Sequence, residues 1–101
     1  MLYNGAVRFV TESINALRQG DFNKPHNANF KAQNILREFM CTLDMRYELS
    51  KNYMLLYDFI CRLLLEGNVK KDADQLDQAK KMLMELRDGW MQAMKQVKQN
   101  R

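Results

Sequence analysis

From Tyr53 to Leu65 the chain reads Tyr-Met-Leu-Leu-Tyr-Asp-Phe-Ile-Cys-Arg-Leu-Leu-Leu, and only Asp58 and Arg62 interrupt the apolar side chains. Wound as a helix, these two charges fall four residues apart on one narrow stripe where they can pair, and apolar positions cover the remaining ~280° of the cylinder. A helix packed on one side of a bundle needs an apolar stripe of little more than ~100°. Such a helix must therefore be central, or must reserve part of its surface for an apolar partner. A membrane span would need about 20 apolar residues. This run is bracketed by Lys51 and Glu66 and carries two charges inside, so no membrane insertion is expected. The N-terminus shows no basic patch, apolar stretch and cleavage site of a secretion signal, which together with the cysteine usage predicts a reduced, cytoplasmic protein.

The length of 101 residues allows a single domain, residues 1–101, and 47% hydrophobic residues with four glycines and one proline suit an all-helical fold. Cys41 and Cys61 lack CxxC spacing and lie in apolar helical segments, where they read as small buried hydrophobes. The net charge of +4 raises the question of nucleic acid. Lys and Arg are nevertheless interleaved with Asp and Glu. Only Lys95, Lys98 and Arg101 form a basic end without acids, so a solvated basic face is expected rather than a nucleic-acid site.

Periodicity predicts four helices. Helix one runs over Leu2 to Arg18, with Leu2, Ala6, Phe9, Val10, Ile14 and Leu17 on one face, and ends at Gly20. Helix two opens near Pro25, which suits a first turn, carries Ala28, Ala32, Ile35, Leu36, Phe39 and Leu43, and ends at Asp44 or Met45. Helix three begins near Tyr47, packs through a face centred on Tyr53, Leu56, Ile60 and Leu64, and stops at Gly67-Asn68. Asp72-Ala-Asp-Gln75 resembles a capping box that opens helix four. There Leu76, Ala79, Leu83, Leu86, Trp90, Ala93 and Val97 recur in steps of three and four, a seam for long antiparallel packing. Short loops between the four make an antiparallel up-down-up-down four-helix bundle the economical architecture.

Signals of catalysis are missing. The single histidine, His26, stands in a loop beside Pro25 with no nucleophile at a telling distance and reads as a surface residue. No phosphate loop, HExxH or GxSxG pattern occurs, and no Glu-x-x-His pairs point to a carboxylate-bridged metal; no cofactor is expected. Eight methionines are the second unusual feature, because Met is flexible, polarizable and common on surfaces that accept irregular apolar partners. Candidate partner-binding residues are Met54, Leu55, Phe59 and Leu65 on helix three, Met84 and Met91 on helix four, and Leu36 and Met40 on helix two. Core packing or self-association would bury the same side chains.

Six strings then occur in order: Met1-Leu-Tyr-Asn-Gly-Ala6, Lys31-Ala-Gln33 followed by Ile35, Thr42-Leu-Asp-Met45, Leu56-Tyr-Asp-Phe59 with Arg62, Asn68-Val-Lys-Lys-Asp72, and Glu85-Leu-Arg-Asp-Gly-Trp90. Together they resemble FliS, the flagellar secretion chaperone family. The departures are Leu63, where the family often has Arg, and Gly67, where it often has Ala. The resemblance implies a helical bundle that holds the disordered C-terminal segment of flagellin in an apolar groove, prevents premature polymerisation and delivers subunits to the flagellar export apparatus. It also implies roughly two dozen residues ahead of the first string; a shortened form lacking them would leave its groove uncovered. A basic helical nucleic-acid binder and a helical oligomeriser are the rival readings.

Overall fold

The computed structural model describes residues 2–21 and 24–99. They form four helices: α1 Leu2–Arg18, α2 Lys24–Thr42, α3 Glu48–Lys70 and α4 Ala73–Gln99. Each packs on its chain neighbours, and α4 returns against α1, giving the expected all-α four-helix bundle. The side chains of His26, Val97 and Lys98, and all of Arg101, lie outside the described residues.

The helix ends follow from local chemistry. Gly20 takes a left-handed φ of 79°, so the Asp21 N–H can reach back to Ala16 O at 2.9 Å and close α1. Asp72 caps α4 as expected: its Oδ1 accepts from the N–H groups of Asp74 at 3.0 Å and Gln75 at 3.2 Å. The reciprocal half of the box is replaced, because the Gln75 side-chain amide crosses to Glu66 Oε2 on α3 at 2.9 Å. α2 stops at Thr42, earlier than expected, and Asp44 folds the following turn by accepting from the Arg46 backbone and guanidinium.

The end of α3 departs from expectation. The helix runs through Gly67-Asn68 to Lys70, and Lys71 supplies the left-handed residue at φ 54°. Gly67 is instead a close-packing position. A Cβ there would stand 2.7 Å from Leu76 Cδ2 and 3.3 Å from the Asp72 carbonyl, so the bare backbone lets α4 turn back tightly on α3.

The core contains Ala6, Val10, Ile14, Ala32, Leu36, Ile60, Leu64, Leu76, Ala79 and Leu83. On α3 the buried face is Tyr57, Ile60, Leu63, Leu64 and Gly67, rotated from the expected one; Leu56 is exposed. Tyr57 wins because its ring stacks with Tyr53 and lies against Phe39, while its hydroxyl shares a 2.6 Å hydrogen bond with Tyr3 across the bundle. Burial, and then the Tyr3 hydrogen bond, push its phenol well above the usual range. One fully buried polar residue fixes the register of α2 on α3: Asn29 donates to Leu64 O at 3.0 Å and accepts from Gln33 Nε2 at 2.6 Å. Arg37 extends this ladder by donating to Gln33 Oε1 at 3.3 Å.

The four helices have unequal lengths, 17 residues in α1 against 27 in α4. Arg87 Nη1 donates to Asn4 Oδ1 at 3.1 Å, so α4 has already drawn level with the first turn of α1 at Arg87. It continues for roughly another 18 Å at 1.5 Å per residue, past the described start of α1. The Gly67 end is thus the tightly closed one among the described residues.

Candidate partner-binding surface

α3 carries large apolar side chains on two sides. Its inner face is core, yet Leu55 is 70% exposed, Phe59 45%, Leu65 54% and Val69 73%. At 100° per residue these four fall within roughly 120° of one another, opposite the buried face. The ion pair Asp58–Arg62, at 3.0 Å, lies among them, exposed as expected, and adds a few tenths of a kcal/mol. The result is an outward apolar stripe interrupted by the Asp58–Arg62 pair and by Glu66. A scattered exposed Leu is ordinary on any protein surface, but four large apolar side chains on one helical face make a candidate interaction surface.

The other sequence-derived candidates divide around this stripe. Leu36 must be corrected: it is fully enclosed, on the same side of α2 as Ala32 and Asn29, and contributes core alone. Met40 is half-buried against the core, on the α3 side of α2 that also carries Asn29 and Gln33. Met54, half-buried, and Leu65 line the α2-facing edge of α3, the side of Cys61. There burial raises the Cys61 thiol and the Arg37 charge partly offsets it. Leu55 and Phe59 line the opposite edge, within about 20° of Glu66, which meets Gln75 of α4.

Met84 and Met91 do not join them. On α4, Gln75 faces α3 and Arg87 faces α1. By helical phase both methionines lie within about 60° of Arg87 and nearly opposite Gln75, so they border α1. Met84 is half-buried there and Met91 exposed. Cys41 likewise departs from expectation: it is exposed on the solvent side of α2, near Asn34 and Glu38.

Sequence reasoning missed Val69, one turn beyond Leu65, because the helix was expected to stop at Gly67. It also missed the exposure of Leu49, Leu56 and Trp90 at the end away from Gly67. Among the described residues, no group of three His, Cys, Asp or Glu side chains converges as metal ligands, and no helix is long and apolar enough to cross a membrane.

The sequence comparisons agree with the family strings. The profile of the family described as Flagellar protein FliS matches residues 1–97. The flagellar secretion chaperone FliS of Bacillus subtilis strain 168 is 33% identical over 101 residues, which is all of this chain and 76% of that protein. Its counterpart in Salmonella typhimurium is 30% identical over 95 residues, 91% of this chain and 70% of the relative. The Vibrio cholerae protein of the same name is 28% identical over 94 residues, 91% of this chain and 69% of the relative. A bundle with an outward apolar stripe, carrying the family's strings along nearly its whole length, belongs to the FliS family of flagellar proteins.

Proposed function

We propose that this chain is a cytoplasmic flagellar export chaperone that binds the disordered C-terminal segment of flagellin, blocks its premature polymerisation and presents it to the export apparatus. The observation that carries the reading is the outward stripe of α3, Leu55, Phe59, Leu65 and Val69, on a helix whose other face already supplies the core. A chaperone for an amphipathic helix-former needs a long apolar surface that accepts side chains spaced three and four apart, and needs no catalytic pocket. Asp58 and Arg62 give such a client a polar contact within the stripe.

Titration calorimetry with the C-terminal segment of the cognate flagellin tests the reading. One-to-one binding that changes only mildly with salt is expected of apolar burial. No heat and no gel-filtration shift would overturn it. Binding to DNA or RNA with a steep loss on adding salt would favour the basic-module reading instead.

A further inference from the structure

The outer face of α3 reads nearly the same in both directions from Ile60, which is itself fully buried on the opposite side of the helix. Leu55 stands as far before Ile60 as Leu65 stands after it, and Asp58 as far before it as Arg62 after it. Such mirrored positions also lie at equal and opposite angles from the line running outward opposite Ile60, about 40° for the two leucines and about 20° for the two charges. A two-fold axis along that line lays a second α3 antiparallel on the first. Leu55 then meets Leu65 of the second copy, and Asp58 meets Arg62 of the second copy, each contact occurring twice as an isologous interface requires.

Charge selects this register. The Asp58 side chain is 48% exposed and that of Arg62 73%, so both reach the axis, where four charges alternate in sign. Sliding the copies by one turn sets Arg62 against Arg62 in one direction and Asp58 against Asp58 in the other, and parallel packing also aligns like charges. Lys51, bound to Glu48 at 3.4 Å, lies level with Val69 of the second copy and covers it with its aliphatic stem. Glu66 is the one misfit, standing opposite Met54, but its carboxylate is drawn off the axis toward the Gln75 amide on α4.

We propose that a second copy of this chain docks on this face, antiparallel about a two-fold at Ile60, and that the pair closes the α3 stripe while no client is bound. One helix against one helix is a small contact, so the association is reversible and depends on concentration. The self-docking stands on α3 alone, whereas its competition with a client rests on the flagellin reading of the same stripe.

Sedimentation velocity of the chain without client, over a range from about 1 μM to about 1 mM, tests the pairing. A shift from monomer to dimer is expected, with no larger species. Asp58→Arg and Arg62→Asp each place four like charges on the axis, and each should weaken dimerisation at least about ten-fold, with circular dichroism confirming that the variants are folded. Mixed one to one, the two variants should recover the parent's affinity, because one then presents only cations to the axis and the other only anions. Adding the C-terminal segment of flagellin should convert the dimer into one-to-one complexes. A monomer throughout, growth beyond a dimer, single variants that pair like the parent, a mixture no better than its components, or client bound to an intact dimer would each overturn the proposal. A segment that fails to bind the monomer ends the flagellin reading instead, and the charge-swapped mixture still decides the self-docking.

Discussion

The two ends of this bundle are built from similar residues and behave oppositely. At the closed end, Gly67, Leu76, Asn29 and Leu64 interlock α2, α3 and α4 with no solvent access. At the other, Leu49, Leu56 and Trp90 continue the same seams with their side chains in water. Apolar periodicity is therefore necessary for a core and not sufficient for one. The same contrast runs across α3, where Leu64 is fully buried and Leu65, its neighbour in sequence, is surface.

The sharpest break in this comparison is truncation. Leu64→Ala or Ile60→Ala should destabilise the fold by about 2–5 kcal/mol in chemical denaturation, as removal of fully buried aliphatics does. Leu49→Ala at the open end should change stability by no more than about 0.5 kcal/mol.

Asn29→Ala comes next. It strips the Gln33 amide and the Leu64 carbonyl of a buried partner and should cost about 1–3 kcal/mol, with the loss seen in both thermal and denaturant melts.

Tyr57→Phe sharpens the boundary between the two ends. At neutral pH the variant should lose about 1–2 kcal/mol, because the Tyr3 hydroxyl is left buried without its partner. In the parent chain Tyr57 keeps its proton in the folded state to higher pH than in the unfolded state, so its stabilising share is complete below about pH 10 and is lost as pH rises through the folded value. The gap between parent and variant should therefore narrow above pH 10 in a stability profile.

A pair of glycines gives the smallest and most diagnostic effect. Gly67→Ala drives a methyl into buried Leu76 and should destabilise by about 1 kcal/mol after the gain in helix propensity is counted. Gly89→Ala meets nothing within 4 Å and should stabilise α4 by about 0.5–1 kcal/mol. Opposite signs from one substitution type, measured as shifts in Tm, would separate the closed end from the open one.

Much of this was legible in the sequence and some was not, for identifiable reasons. The four helices, the Gly20 stop and the Asp72 cap were readable because each depends on residues within one turn. The surplus of apolar surface on α3 was readable from thirteen consecutive residues. Which side of it is core was not: Tyr57 replaces Leu56 inward because of Tyr3, fifty-four residues away, whose hydroxyl satisfies the buried phenol. Gly67 looked like a helix stop because a glycine needed for close approach and one needed for a left-handed turn are the same letter. Leu36 was offered to a partner although it is core, and Met84 and Met91 were grouped with Phe59 although they border α1; periodicity fixes a side chain's angle on its own helix and says nothing about which neighbour stands there.

The central claim is that the outer face of α3 belongs to the client and the inner face to the fold. Replacing Leu55 and Phe59 by Ser and measuring both thermal unfolding and calorimetric affinity for the flagellin C-terminal segment tests it most directly. Tm should stay nearly unchanged while binding weakens by at least about 1–2 kcal/mol for each position, the scale of an interface hot spot. A fall in Tm like that of Leu64→Ala, or unchanged affinity in both folded variants, would contradict it.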